Sequence, residues 1–420
     1  MLKFLMAILT NPAVILGIVA AVGLIALRKA PTDVIKGTLK TLFGFLILQA
    51  GSGIICSALI PFSTMFTDAF GLHGIIAEDN SLVAAVQKFL GMETAFILVF
   101  SFLINLLLAR ITPWKYIFLT GHMMFSFAGT MAIVLDQMGI HGWAAIAIGS
   151  VVQGISMVLF PAISQPFIRK VTSNDEVAFG FWGSSWISLS GWIGGLVGDK
   201  SKSTEDMKVP KSLDFLKDMS VLMGIVMVMV YVVTAAFTPA KTISQLSNGQ
   251  NTYVFAIFTA LNFVVGILVL LQGVRMFLGE IVPAFKGIGE KIVPGAKPAL
   301  DVPIFYSFAP IAVTIGFITA LLGSLIVTFF SRWLPVVVLP SVIGLFFMGG
   351  AAGVFGNTVG GRRGAIVAGF CLGLTWTLLV ALAYPLVNVA KYGIQGLWFA
   401  TPDSIIVSVV MRLIGKLFGV

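Results

Sequence analysis

The sequence predicts an all-α polytopic membrane protein of about ten to eleven transmembrane helices with re-entrant hairpins, built on an inverted-topology repeat. Three observations carry that expectation. Apolar residues make up 58% of the 420 positions and charged residues only 10%, with a mean hydropathy of +1.04. Soluble domains hold about 45–50% apolar and about 25% charged residues, so lipid is part of this chain's solvent. The apolar residues lie in continuous runs near the length of about 20 residues that a helix needs to cross hydrocarbon. They do not alternate, which excludes a membrane β-barrel. Finally, the two halves share landmarks.

The predicted spans follow in order: 12–27, 41–60, 94–109, 116–135, 143–160, 219–237, 254–274, 308–330, 336–355 and 364–387. The first apolar block holds one early basic residue, Lys3, and runs into Leu27-Arg28-Lys29. It is expected to be a first transmembrane helix, not a cleaved leader. Cationic loops are expected inside: 28–40, Arg110 with Lys115, Arg169-Lys170, and the loop 199–217 with its five lysines. Segment 177–197, which holds nearly all of AFGFWGSSWISLSGWIGGLVG (178–198), lies between two inside loops. It is therefore expected to enter and leave as a hairpin. The spacings Gly191/Gly195 and Gly194/Gly198 fit close helix packing. The piece 404–420 is a counterpart hairpin or a last span. Cys56 and Cys371 sit in apolar runs and are expected to pack. The net charge of +9 belongs to loop cations and not to a nucleic-acid surface.

The repeat is visible at a separation of 223 residues, from Gln49 in LQAGSGIICSALIPF to Gln272 in LQGVRMFLGEIVPAF. The same step carries Glu78 to Asp301 and Gly121 to Gly344, and brings ARITP within one residue of SRWLP. Equivalent loops have opposite charge. Residues 27–40 are basic where 238–251 hold only Lys241; 58–79 lack lysine and arginine where 282–301 hold Lys286, Lys291 and Lys297. Opposite bias means opposite orientation, with residues 1–205 as the first repeat and 206–420 as the second. Together they form one integral-membrane domain, with sites expected near the midplane at the repeat interface.

Ionisable groups inside a bilayer cost upward of about 2.5 kcal/mol and are functional candidates by default. His122 stands in LTGHMMFSFAG between small residues that let a ligand or a backbone approach. Asp301 precedes VPIFYSFAP and is read as a site residue. Glu78, in AEDN, suits a ligand or the N-terminus of a broken helix equally. Gln49 suits a ligand or a helix partner. Arg275 pairs with Glu280 or snorkels. Nothing resembles a phosphate-binding glycine loop, and no Cys/His cluster has metal spacing. No cofactor is expected, and any energy source lies outside the chain.

Several long motifs, LRKAPTDVIKGTLKTLFGFLILQAGSG (27–53), LTGHMMFSFAG (119–129), QGVRMFLGEIVPAFKGIGEKIVPGAKPALD (272–301), YSFAP (306–310) and GVFGNTVGGRRGA (353–365), closely resemble the ascorbate-type enzyme IIC of the bacterial phosphoenolpyruvate-dependent phosphotransferase system, in the ascorbate-galactitol superfamily. The resemblance covers most of the chain in order. It implies an inner-membrane homodimer with a V-shaped dimerising part and a substrate-binding core. It implies a non-catalytic permease that brings L-ascorbate or a related sugar or polyol inward. Phosphorylation is then done by a separate cytoplasmic enzyme IIB, phosphorylated on cysteine and recharged through enzyme IIA. Neither a IIA nor a IIB domain is expected in these 420 residues, and nucleic acid is not an expected partner. By motif, the ligand-facing positions are Ser52, His122, Asp301 and the hairpin near Gly183, Ser184 and Ser185, with Gln49, Glu78 and Ser126 beside them. Ascorbate-specific members place a glutamine where this chain has Ser126, and a His-Gln-Gln-type run where it has FWGSSW. The loop 199–217 is the expected IIB surface. An ion-coupled secondary transporter with the same repeat is the alternative.

Overall fold

The computed structural model describes residues 12–71, 74–207, 219–291, 293–394 and 397–417. The chain is a multi-pass, predominantly helical membrane protein. Among the described residues, four helices are long and apolar enough to cross a membrane: Phe89–Ile111, Gly142–Thr172, Pro310–Phe330 and Leu345–Leu386.

Helices α1 (Pro12–Ala26), α2 (Pro31–Phe70), α3 (Asp79–Ile111), α4 (Gly121–Gln137), α5 (Gly142–Thr172) and α6 (Ser184–Val197) fill the first half. The second half holds α7 (Met219–Phe237), α8 (Ala240–Ser247), α9 (Thr252–Lys291), α10 (Pro310–Phe330), α11 (Gly350–Ala383) and α12 (Pro402–Leu417). Among the described residues, six short strands that the sequence does not announce lie between them. They are β1 (Ile75–Ala77), β2 (Tyr116–Phe118), β3 (Ala178–Phe179), β4 (Lys297–Leu300), β5 (Val338–Leu339) and β6 (Leu397–Trp398). The expected spans 116–135 and 336–355 therefore each begin as a strand, turn, and continue as a helix. Segment 177–197 departs from a simple helical hairpin in the same way, because its first limb is β3 and its second is α6. Of the piece 404–420, the described residues up to 417 lie on α12, which follows β6.

The strands form two parallel sheets in the orders β5-β1-β6 and β2-β4-β3. In the second, Ala299 faces both Phe118 and Ala178; in the first, Ile76 faces both Leu339 and Leu397. Outer edges would leave backbone groups unpaired in an apolar interior. Asn105 satisfies one edge by donating to Tyr116 O at 3.1 Å and accepting from Phe118 N at 3.0 Å. Thr328 donates to Val338 O at 2.8 Å at the other.

The chain divides into two compact units. One comprises residues 1–15, 75–207 and 285–420, and holds both sheets. Its helices approach at glycine. A Cβ on Gly194 would lie 2.4 Å from Gly364 O, and one on Gly198 would lie 2.2 Å from Gly360 O. The predicted small-residue face of α6 thus packs on α11. Helix α11 breaks at Gly361, at φ +58°, where a Cβ would meet Asp199 O at 2.2 Å and Lys202 O at 2.4 Å. The GNTVGGRR motif is what holds this loop: Asn357 Oδ1 accepts from Thr204 N at 2.8 Å, and Arg362 Nε donates to Ser203 O at 3.0 Å. Glu205 then accepts from Ala312 N at 3.1 Å at the start of α10.

The other unit comprises residues 16–74 and 208–284. Helix α2 packs on α7 there, where Tyr231 donates to Ala58 O at 2.9 Å and its ring lies 4.7 Å from that of Phe62. Both units draw on both halves of the sequence.

Candidate functional site

Parallel pairing brings three chain segments to the same end of one sheet. After β2 the chain turns into α4, after β3 it turns into α6, and after β4 it turns at Asp301. The turns are held in register, with Leu119 N donating to Ala299 O at 3.1 Å and Gly180 N to Leu300 O at 2.8 Å. His122 stands in the first turn of α4, so the sheet sets it opposite Asp301. The His122 Nε2 and Asp301 Oδ2 atoms are 3.7 Å apart, with side chains 20% and 9% exposed. That gap is too long for a hydrogen bond. A hydroxyl that accepts from the imidazole and donates to the carboxylate would bridge it. Asp301 Oδ1 also accepts from Val302 N at 2.8 Å.

The first turn of α4 is braced by buried aromatic side chains. Trp182 is fully buried, donates from Nε1 to Met123 O at 2.6 Å, and stacks on Phe118 with ring centres 4.4 Å apart. Ser126 is buried, and its hydroxyl donates to His122 O at 2.9 Å. The buried Thr120 Oγ1 has no hydrogen-bond partner, so one polar atom beside His122 has its capacity unused. Outside the apolar core, the far end of the same sheet is clamped by ions. Asp175 accepts from Arg169 Nε and Gln165 Nε2, each at 2.8 Å, and pairs with Lys297 at the start of β4. The Arg169 guanidinium first, and Lys297 and Gln165 after it, hold the Asp175 carboxyl well below the usual carboxylate range.

The other expected positions are distributed as follows. Gly183 caps α6, and a Cβ there would meet the Phe181 ring at 2.9 Å and Met348 Sδ at 3.0 Å. Ser184 is buried and Ser185 half-buried, and both hydroxyls donate to Asp403. Glu78 is half-buried, and its amide donates to Trp398 O at 3.0 Å. The fully enclosed acid is the next residue, Asp79, whose carboxylate accepts from Ala400 N at 2.8 Å and Thr401 N at 3.0 Å. Gln49 and Ser52 fall on α2 in the other unit, and their side chains, like that of Arg275, lie outside the described residues. Among the described residues no group of three acidic, histidine or cysteine side chains is arranged for a metal ion.

Asp79 and Asp403 escaped the sequence reading. Both signals were present: an acid after a short apolar strand in IIAED, and an acid behind a proline in ATPDS, each at a helix start where the dipole favours it.

The family model for the PTS system sugar-specific permease component, EIIC-GAT, matches residues 7–403. The ascorbate-specific PTS system EIIC component of Mycoplasma pneumoniae is 28% identical over 432 aligned positions, covering 89% of this chain. The alignment spans 65% of that relative's own length.

Proposed function

Because the chain belongs to the family of PTS sugar-specific permease components, we propose that it carries L-ascorbate or a related sugar or polyol inward for phosphorylation by a separate enzyme IIB. The observation that carries this reading is the His122–Asp301 pair, a donor and an acceptor held 3.7 Å apart by paired strand ends. Neighbouring ring hydroxyls can satisfy both. Ser126 on α4 and Gly183, Ser184 and Ser185 at the start of α6 lie on the elements that follow β2 and β3, and they, with Gln49, Ser52 and Glu78, are proposed contacts. The M. pneumoniae relative, named for ascorbate, favours ascorbate within the class. The short side chains Ser126, Ser184 and Ser185 favour a differently filled pocket.

We further propose that residues 1–205 and 206–420 are inverted repeats. Several positions support this. Strand orders β5-β1-β6 and β2-β4-β3 interconvert when each strand is exchanged for its counterpart in the other half. Asn105 and Thr328, 223 residues apart, both bond the edge strand of their sheet. The break of α11 at Gly361 falls where α4 gives way to α5 in the first half. In this reading the unit holding both sheets is the core, the other unit is the frame of a homodimer, and transport moves one against the other. Enzyme IIB would dock on the loop 199–217, where Lys200 and Lys202 are exposed. Lys208, Lys211 and Lys217 lie outside the described residues.

The test is uptake into inside-out-free vesicles carrying this protein, with labelled ascorbate, pentoses and polyols. The expected result is accumulation of the phosphate ester only when phosphoenolpyruvate, enzyme I, the histidine phosphocarrier protein and the IIA and IIB proteins are supplied inside the vesicles. Uptake of unmodified sugar driven by an ion gradient alone would instead establish the secondary-transporter alternative. Reversing Lys200, Lys202 and Lys208 to glutamate should weaken IIB binding; unchanged affinity refutes that docking surface.

A further inference from the structure

Asp403 has no place among the expected sugar contacts, yet it is fully buried. It opens α12 directly after Pro402. Its Oδ2 accepts from the Ser184 hydroxyl at 3.2 Å and the Ser185 amide at 3.4 Å, and its Oδ1 accepts from the Ser185 hydroxyl. Its own amide donates to Trp182 O at 3.0 Å. The first turns of α6 and α12 are thus tied N-terminus to N-terminus, on the turn that follows β3.

Each group facing the carboxylate is a donor. A serine hydroxyl has one proton and two lone pairs. The Ser185 proton is committed to Asp403, so only lone pairs remain for anything else that reaches this oxygen. Ser184 is fully buried, whereas Ser185 is partly open. We propose that Asp403 is a positioning residue for the sugar site: it makes Ser185 an acceptor, so that the bound sugar meets Ser185 with a hydroxyl that donates. This rests on the permease reading above.

The geometry makes D403N diagnostic. The Ser185 amide can only donate, so an asparagine must keep its oxygen at the Oδ2 position. Its NH2 group then occupies the Oδ1 position and donates to Ser185 Oγ, which frees the serine proton and turns Ser185 into a donor. The experiment measures calorimetric binding to the purified 420-residue chain of L-ascorbate, a set of pentitols and hexitols, and their monodeoxy and monodeoxyfluoro analogues. Wild type, D403N and S185A are compared, with melting temperature recorded for each. Wild type is expected to lose about tenfold in affinity for one monodeoxy position, the size of one buried hydrogen bond. S185A should bring that ratio near one, and because it leaves the carboxylate its other two donors it should melt near wild type. In D403N a sugar hydroxyl can turn to accept from Ser185, so the deoxy ratio persists, but fluorine, which can only accept, should be tolerated at that position where wild type rejects it. A purely structural role would lower melting without changing the ratio. A deoxy ratio unchanged in S185A, or a fluoro analogue still rejected by D403N, overturns the role of Asp403 and leaves the permease reading standing. A wild type that binds nothing in the panel overturns the permease reading itself, and the assignment of Asp403 with it.

Discussion

Two acids that each follow the central strand of a sheet do different work. Asp79 follows β1 and Asp301 follows β4, the central strands of the two sheets. Asp79 accepts from two amides of the neighbouring turn, whereas Asp301 accepts from the adjacent amide and faces His122. One carboxylate is used for closure and the other is turned toward an imidazole. Asp79→Ala would strand two buried N–H groups, at about 1–3 kcal/mol each. Its melting temperature in detergent should fall by several degrees, and Asp79→Asn should recover part of the loss. Asp301→Ala and His122→Ala should instead abolish sugar-induced thermal stabilisation with little change in the unliganded melt; full ligand stabilisation in either variant removes that residue from the site. Asp175 adds a dependence on acid. Its folded carboxyl is depressed by Arg169 and Lys297, so its stabilising contribution is complete above the unfolded value of about 3.9. It is lost as pH falls from there through the folded value. The melting difference between wild type and Asp175→Asn should be constant above about pH 5 and close below pH 4; a gap that widens in acid contradicts the pairing. His122 and Asp301 stand out in the sequence because an ionisable side chain in an apolar run is conspicuous. Asp79 was hidden beside Glu78, since one residue of register decides which acid turns inward, and only the strand fixes that register.

At the scale of elements, apolar run length revealed the helices and concealed the strands. A strand of two or three residues leaves no period-2 pattern, and KYIFLTGH or PVVVLPSV reads as the opening of a span. The strands exist because partners from the other half satisfy their backbone groups, which is long-range information. Glycine spacing was more direct. Gly194 and Gly198 repeat every four residues, and that side of α6 touches α11 backbone at both. Gly198→Ala should force the helices apart, because the new methyl meets Gly360 O at 2.2 Å and its Cα at 2.4 Å. A loss of about 1–3 kcal/mol or more is expected for such overpacking. Gly224→Ala on α7, with nothing within 4 Å of its Cβ position, should melt within about 0.5 kcal/mol of wild type.

At the scale of the molecule, the repeat landmarks could be counted in the sequence, but the way the halves share their parts could not. Each three-stranded sheet takes its middle strand from one half and both flanks from the other. If the units move as core and frame, a disulfide engineered between them should stop uptake and a reductant should restore it. Undiminished uptake in the cross-linked state would contradict that motion. The strand exchange has a consequence for synthesis as well. Strands β2 and β3 are made early and have no middle partner until β4 emerges near residue 300, and β1 waits longer, for β5 and β6. The nascent chain therefore stays open along these edges through most of its translation. Its maturation should depend on membrane insertion factors that shield unpaired polar backbone until the last sixth of the chain leaves the ribosome.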